Sequence, residues 1–443
     1  MWHCQPATKR DLERLGGMEE RWRKGCDNGD WGAVRLVRRS PSRYRHRTMT
    51  DHVYDVAVLG AGPAGTIAAY ECARQGLRTI LLEKERLPRR KACGGGLSAK
   101  SLSLLPCSPA PVMEQRTVSG WVACGNDGAL EVPVGRPGIM VCRESFDMFL
   151  AEQAVAAGAE LMERFELRAV EEEGGARVLV PRQGRKVRAR LLVAADGVNS
   201  VVRRQLFPGS HPRTVAALEA RVVPADWARS QLSERCLFDF GAVEAGYGWI
   251  FPKGDHFNVG VYRFRKTVGS RDLRAVLAGF LAGNRFLREA TVLDIAGARI
   301  PVWPGGKRLE RGGVLLAGDA AGFGDALFGE GIHCALLSGR EAAAAVVACL
   351  SDRSPLHGYD ERVRGLRRQA RALALMAAFI YRFPRFAFER MAGSPHAGRL
   401  FSGVITGEVS PTACLVETLA TAPYWLAARR RRPGALLEGG VVD

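Results

Sequence analysis

The sequence lacks any run of about eighteen apolar residues, which excludes a membrane-spanning helix; the longest candidate, Ala372 to Tyr381, is too short. A Cys-x-x-Cys pair is also missing. The eleven cysteines are odd in number and scattered, which argues against a disulfide framework or a zinc site and fits a reducing cytoplasm. The first thirty residues hold no apolar central region of the kind a secretory signal needs. Acidic residues are scarce beside basic ones, 46 against 64, and the formal charge is +18. No recognisable nucleic-acid-binding fold accompanies that surplus, so no nucleic acid is expected as a partner.

What is present suits a globular chain. Hydrophobic residues make up 47% and charged residues 25% of 443, too many residues for one core, so two or three packed units are expected. Residues 1–48 hold 12 Lys+Arg and 6 Asp+Glu with no sustained period, as expected of a disordered basic extension. They are either a solvated tail or sequence ahead of a true start near Met49. A second basic cluster, Arg429 to Arg432, follows Pro423, Tyr424, Trp425 and Leu426. It suits either the boundary of an anionic membrane leaflet or a solubilising terminus.

The informative segment begins at Tyr54. Asp55 to Leu59 is a short apolar run of strand type that passes into Gly60-Ala61-Gly62-Pro63-Ala64-Gly65, and the Ala-rich stretch Thr66 to Gln75 then ends at Gly76. A further strand, Leu77 to Leu82, ends in Glu83. Strand, glycine loop and helix in that order are the requirements of a dinucleotide site. The first glycine permits the tight turn, the second lets backbone approach a pyrophosphate, and the third lets helix and strand touch. The helix amino terminus offers unpaired amides to phosphate, and Glu83 would accept hydrogen bonds from a ribose diol. Two more strands end in acids: Leu191 to Ala195 before Asp196-Gly197, and Gly313 to Ala317 before Gly318-Asp319.

Together with Arg143 and Asp147 ahead of a helix Met148 to Ala156, these stretches resemble the large flavoprotein class of glutathione reductase and para-hydroxybenzoate hydroxylase. No second Gly-x-Gly-x-x-Gly unit occurs, so the resemblance is to the hydroxylase branch. It implies FAD, with Asp319 at the ribityl or pyrophosphate region and Arg143 near the flavin. Three stretches narrow it. Lys91-Ala92-Cys93-Gly94-Gly95-Gly96-Leu97-Ser98, Tyr247-Gly248-Trp249-Ile250-Phe251-Pro252-Lys253 and Gly322 to Ile332, the last containing Gly329-Glu330-Gly331, are similar to motifs of the geranylgeranyl reductase family. The match covers roughly residues 52 to 350. It departs from the family pattern at Ala326, where that loop usually has proline, and at Gly260-Val261-Tyr262, which replaces a Gly-x-Gly. The first departure bears on loop stiffness and the second on the shape of a substrate tunnel.

The resemblance implies reduction of isolated double bonds in a geranylgeranyl-type prenyl chain. Hydride would pass from reduced flavin to one alkene carbon, with protonation at the other by Cys93, Tyr247 or a bound water. NAD(P)H or another reductant, or an electron-donor protein, would supply electrons. On an extended strand Tyr247, Trp249 and Phe251 share one face, either a core face or an apolar wall for a hydrocarbon, and Pro252 closes the row. Cys93 follows Arg89, Arg90 and Lys91, cations that favour a thiolate or steer a nucleotide phosphate; a small packed residue beside the cofactor is the alternative. Gly329 and Gly331 lead into an Ala-rich helix from Ile332 whose first turn would stabilise negative charge on the flavin. His333 reads as a helix-surface or core residue ahead of a general acid. A helix over Tyr359 to Tyr381 should end or kink at Pro384.

The expected architecture is α/β: a doubly wound, Rossmann-like FAD-binding domain, an inserted antiparallel β-sheet substrate domain, and a helical carboxyl-terminal region. The boundaries are 1–48 for the extension, 49–214 and 301–350 for the FAD domain, 215–300 for the sheet and 351–443 for the helices. A hydroxylase and a quinone-linked electron-transfer flavoprotein remain as alternatives. A cytoplasmic enzyme, peripheral on the inner face of the membrane, is the expected location.

Overall fold

The structure is a computed structural model that describes residues 52–427, apart from 126–127, 266–271, 304–305, 307, 353–355 and 357. The basic extension 1–48 and the Arg429 to Arg432 cluster lie outside the described residues. In chain order the strands are β1 (Val53–Leu59), β2 (Thr79–Leu82), β3 (Gly96–Leu97), β4 (Met113–Ala123), β5 (Ala129–Val141), β6 (Glu160–Met162), β7 (Leu167–Glu173) and β8 (Ala176–Pro181). They continue as β9 (Val187–Ala194), β10 (Arg213–Val223), β11 (Arg235–Asp239), β12 (Gly246–Pro252), β13 (Phe257–Arg263), β14 (Thr291–Trp303), β15 (Glu310–Arg311) and β16 (Val314–Leu316).

The first sheet runs β15-β16-β9-β1-β2-β6, with the β7–β8 hairpin joined through β8. Its centre is parallel: Val56 lies opposite both Thr79 and Leu191, and Leu316 opposite Ala194. Because β1, β9 and β16 end side by side, the loops after them open at one edge, the usual place for a ligand in such a sheet. The helices Pro63–Arg74 and Ile332–Ser351 pack tightly together, since a Cβ at Gly339 would stand 2.3 Å from the Ala64 carbonyl oxygen. Ile332–Ser351 is long and apolar enough to cross a bilayer by composition. The sequence-based exclusion therefore fails on that criterion, and packing against Pro63–Arg74 gives the helix its own reason to be apolar.

The second sheet runs β14-β10-β13-β12-β11-β4-β5-β3 and is antiparallel except where β11 meets β4. It does not respect the expected boundaries. β3, β4 and β5, inside the 49–214 span, pair into it, and β14 runs on to Trp303. The signal was hidden because β5 carries Pro133, Gly135, Pro137 and Gly138, residues that argue against a strand in sequence. Helix Leu273–Gly283 covers one face, with Phe280 filling the space over Gly248.

The carboxyl-terminal region is helical, as expected: Gly358–Arg362, Arg364–Ile380, Pro384–Ala392, Pro395–Thr406 and Pro411–Ala427. The helical stretch expected over Tyr359 to Tyr381 ends at Ile380, ahead of Pro384, and Pro384 itself opens the next helix. Its missing N–H costs nothing in a first turn.

Candidate active site

The loop after β1 explains its own glycines. Gly60 has φ +102°, and a Cβ there would stand 2.4 Å from the Ala195 carbonyl oxygen. A Cβ at Gly65 would fall 1.8 Å from the Gly60 oxygen, so helix and strand touch only because it is absent. Around Gly62 the nearest groups are cations: a Cβ would lie 3.9 Å from the Arg143 guanidinium and 4.0 Å from that of Arg89. No side chain caps the helix Pro63–Arg74, so its first amides face the same space.

Carboxylates surround that space. Glu83, only 3% exposed, accepts from the Ala61 N–H (2.8 Å), the Glu85 N–H (3.1 Å) and Arg89 (3.3 Å), so it fixes the loop as well as facing the cavity. Arg143 lies in the first turn of the helix Arg143–Ala156, a turn earlier than expected, and grips Asp147 through Nε (2.7 Å) and Nη2 (2.8 Å). Burial opposes its charge, but Asp147 and the Cys93 thiol beside it hold its pKa above the ordinary arginine value. Asp196 accepts from the Val201 N–H at 2.8 Å with one oxygen, while its Oδ1 is buried without a partner. Burial pushes Asp196 up, against Ser200 and nearby amides. Asp319 is likewise raised by burial, against Lys91, Arg143 and Arg203.

A dinucleotide fits this set. Gly60 and Gly65 are closed to a Cβ by backbone, the space beside Gly62 is open to a pyrophosphate, uncapped amides and two arginines meet its charge, and an orphaned acceptor at Asp196 awaits a donor.

One cavity of about 820 Å³ joins this region to the aromatic row. Gly60, Gly62, Ala64, Glu83, the Cys93 to Gly96 loop, Arg143, Asp196, Gly197, Asp319, Gly329, Gly331 and Ile332 line it, together with Tyr247, Trp249 and Phe251. Three expected site residues do not. Gly65 and Gly318 act by close packing, the latter against Ala64, and Pro252 is buried at the end of β12.

The three rings stand on one face, with centroids 5.9 and 6.1 Å apart. Trp249 occupies the space over Gly260, where a Cβ would come within 2.2 Å of the indole, and Phe251 lies over Gly94. The glycine loop that carries Cys93 therefore rests directly against the aromatic row. Farther from it the cavity is walled by Val132 and Val134 of β5 and by Phe401 and Ile405 of the helix Pro395–Thr406.

Several contacts at this site were not anticipated. Tyr247, Tyr262 and Tyr381 donate their hydroxyls to three successive carbonyls, of Phe328, Ala326 (2.8 Å) and Leu327 respectively. Asp325 accepts from the Leu327 and Phe328 N–H groups, and burial, with Glu330 nearby, pushes its pKa up to about 6. Lys100 bridges Glu330 (2.9 Å) and the Val404 carbonyl. Burial works to raise Glu330, yet Lys100 and His333 hold it below its usual range. His333 keeps Nδ1 buried without a partner, and burial lowers its pKa. On the other side Glu219, Asn258 and Lys253 form a buried polar group beneath Cys93. Sequence spacing does not join these residues; strand register brings Glu219 and Asn258 together, and helix and loop packing brings Lys100, Glu330 and His333 together.

Residues 55–124 match the FAD dependent oxidoreductase family model, and residues 128–239 match the FAD binding domain model. The geranylgeranyl diphosphate reductase of Rhodobacter capsulatus is 32% identical over 314 residues, which span 68% of this chain and 77% of that one. The chain belongs to the geranylgeranyl reductase family. Another member, digeranylgeranylglycerophospholipid reductase 1 of Methanopyrus kandleri, is 31% identical over 316 residues, 68% of this chain and 82% of the relative. The crystal structure of a geranylgeranyl bacteriochlorophyll reductase-like protein from Thermoplasma acidophilum shares the fold, with a TM-score of 0.67 at 22% identity over 84% of this chain and 98% of that one. This member of the family is thus an FAD-dependent oxidoreductase.

Proposed function

We propose that the protein reduces isolated carbon–carbon double bonds in the prenyl chain of an isoprenoid lipid. The observation that carries this reading is the continuity of one cavity from the glycine cradle to a wall of aromatic and aliphatic side chains. Bound FAD, once reduced, supplies the hydride. An isolated alkene is a poor acceptor, so the protein's contribution is alignment and exclusion of water. The rings of Tyr247, Trp249 and Phe251 hold the chain against the Cys93 to Gly96 loop, and Val134 and Ile405 accommodate its length.

In this reading Gly60, Gly62, Ala64, Gly65, Glu83, Arg143, Asp196, Gly197, Gly318 and Asp319 bind the dinucleotide, and Gly329, Gly331 and Ile332 face the ring. Cys93 borders the reacting region. Electrons come from NAD(P)H, another reductant or a donor protein. Of the three cations near Cys93, Arg89 is tied to Asp147 and Glu83 and Arg90 to Asp294, which leaves Lys91 to meet a nucleotide phosphate.

A cytoplasmic enzyme resting on the inner face of a membrane suits a water-insoluble substrate. Supporting it, exposed Arg368, Arg371, Leu375, Phe379 and Arg382 fall at helical spacing on one stripe of the helix Arg364–Ile380 and its end. The test is to reduce the purified protein anaerobically, add isoprenoid lipids of varied head group, and follow flavin reoxidation and product mass. Reoxidation with a gain of two hydrogens per bond is expected. Failure of every prenyl compound, while oxygen and an aromatic compound give a hydroxylated product, would overturn the reading.

A further inference from the structure

Prenyl reduction needs a proton as well as a hydride, and the groups that could hold one differ sharply in their surroundings. The hydroxyls of Tyr247, Tyr262 and Tyr381 each spend their single proton on a carbonyl of the Ala326 to Phe328 loop. The Cys93 thiol is engaged with Arg143. Glu219 is different. It sits in the middle of β10, 6% exposed, at the seam where the Cys93 loop meets the aromatic row. Its cross-strand neighbours are Gly260 on β13, the glycine that Trp249 packs over, and Ala296 on β14.

Resting on the proposed reaction, we infer that Glu219 is the acid that protonates the alkene, held in place by Asn258 and the Cys93 backbone. Its Oε2 accepts from the Cys93 N–H at 2.8 Å and from Asn258 Nδ2 at 3.0 Å. Asn258 Oδ1 accepts in turn from Trp249 Nε1 at 2.8 Å, so the amide's orientation is fixed by the aromatic row itself. Oε1 has no hydrogen bond among the described residues, and Glu219 lines the cavity.

The charged groups facing the carboxyl are Lys253, whose ammonium is tied to the Val141 carbonyl at 2.7 Å, and Arg90, tied to Asp294. Burial outweighs both, and Asn258, and raises the pKa of Glu219. A hydrocarbon filling the cavity strengthens that preference for the neutral acid. In the step itself the Glu219 O–H bond breaks as a C–H bond forms at one alkene carbon. The other carbon takes the hydride, with its electron pair, that bound reduced FAD supplies. The remaining carboxylate regains its proton from water.

The test uses the FAD-loaded full chain, reduced anaerobically and mixed with geranylgeraniol in a single turnover. Glu219→Gln should lower product formation at least 100-fold while the FAD dissociation constant stays within threefold of wild type, and Glu219→Asp should recover part of the rate. The wild-type rate should fall as pH rises through the Glu219 pKa. Asn258→Leu removes a donor that favours the anion, so that limb should move to higher pH, a shift that a purely structural role would not produce. An infrared carboxylic-acid C=O band, present on adding the lipid and absent in Glu219→Gln, gives a readout independent of turnover. Glu219→Gln turning over within threefold of wild type, or no such band, would overturn the assignment. Wild-type protein that reduces no prenyl lipid would instead overturn the reaction on which it rests.

Discussion

The two ends of the cavity are built by different means. The nucleotide end is made of backbone: Gly60, Gly62 and Gly65 clear space, and a helix terminus donates amides. The hydrocarbon end is made of side chains from β4, β5, β12 and the helix Pro395–Thr406, segments up to about three hundred residues apart in the chain. Backbone sites leave a contiguous signature in sequence because each glycine answers a local steric demand. A wall of side chains drawn from separate segments leaves one only where neighbours share a strand, as the aromatic row of β12 does, because elsewhere any apolar residue of suitable size serves.

That contrast orders the expected effects. Gly65→Ala should be the most damaging, since the new methyl would overlap the Gly60 carbonyl. A loss of about 1,000-fold in FAD affinity, roughly 4 kcal/mol, is expected in a flavin titration. A variant that kept its flavin would break the distinction at once.

Asp325→Asn probes the loop between the two ends. A carboxyl raised from 3.8 to about 6 by burial binds more protons in the folded state than in the unfolded state between pH 4 and 6. Its contribution to stability is present below that window and lost as pH rises through it, by roughly 3 kcal/mol. Denaturant melts from pH 4 to 7 should show this fall in wild type and a flatter profile in Asp325→Asn.

At the hydrocarbon end, Val134→Phe should narrow the tunnel between β5 and the helix Pro395–Thr406. Turnover of a geranylgeranyl chain should fall about tenfold, near 1.4 kcal/mol, with FAD affinity unaltered. Equal loss of both would mean that the two ends are not separable. Tyr262→Phe should have the smallest effect, about 1 kcal/mol of stability for one hydrogen bond, read by denaturant unfolding.

The sequence made the β1 loop, the β2 strand into Glu83, the aromatic row and the helix from Ile332 legible, because each depends on neighbours within about ten residues. Arg143 was found but placed ahead of its helix; the i, i+4 pairing with Asp147 required it to be inside. Membership of β3, β4 and β5 in the second sheet was lost among the prolines and glycines of β5. Glu219 and Asn258 belong to no motif in the sequence. Only the register that sets Glu219 opposite Gly260 and Arg221 opposite Asn258 brings the pair together. The departure at Ala326 raised a question of loop stiffness that the structure answers from elsewhere. Three tyrosine hydroxyls and the Asp325 carboxylate hold the loop that a proline would otherwise stiffen.

The central claim is that a bound flavin and a bound prenyl chain share one cavity across the Cys93 to Gly96 loop. Adding a geranylgeranyl lipid to the oxidised, FAD-loaded protein tests this directly through the flavin's visible absorption spectrum. A saturable shift of the flavin band, abolished in Trp249→Ala while FAD stays bound, is the predicted result. Lipid that binds in a parallel centrifugation assay yet leaves the flavin spectrum untouched would contradict it.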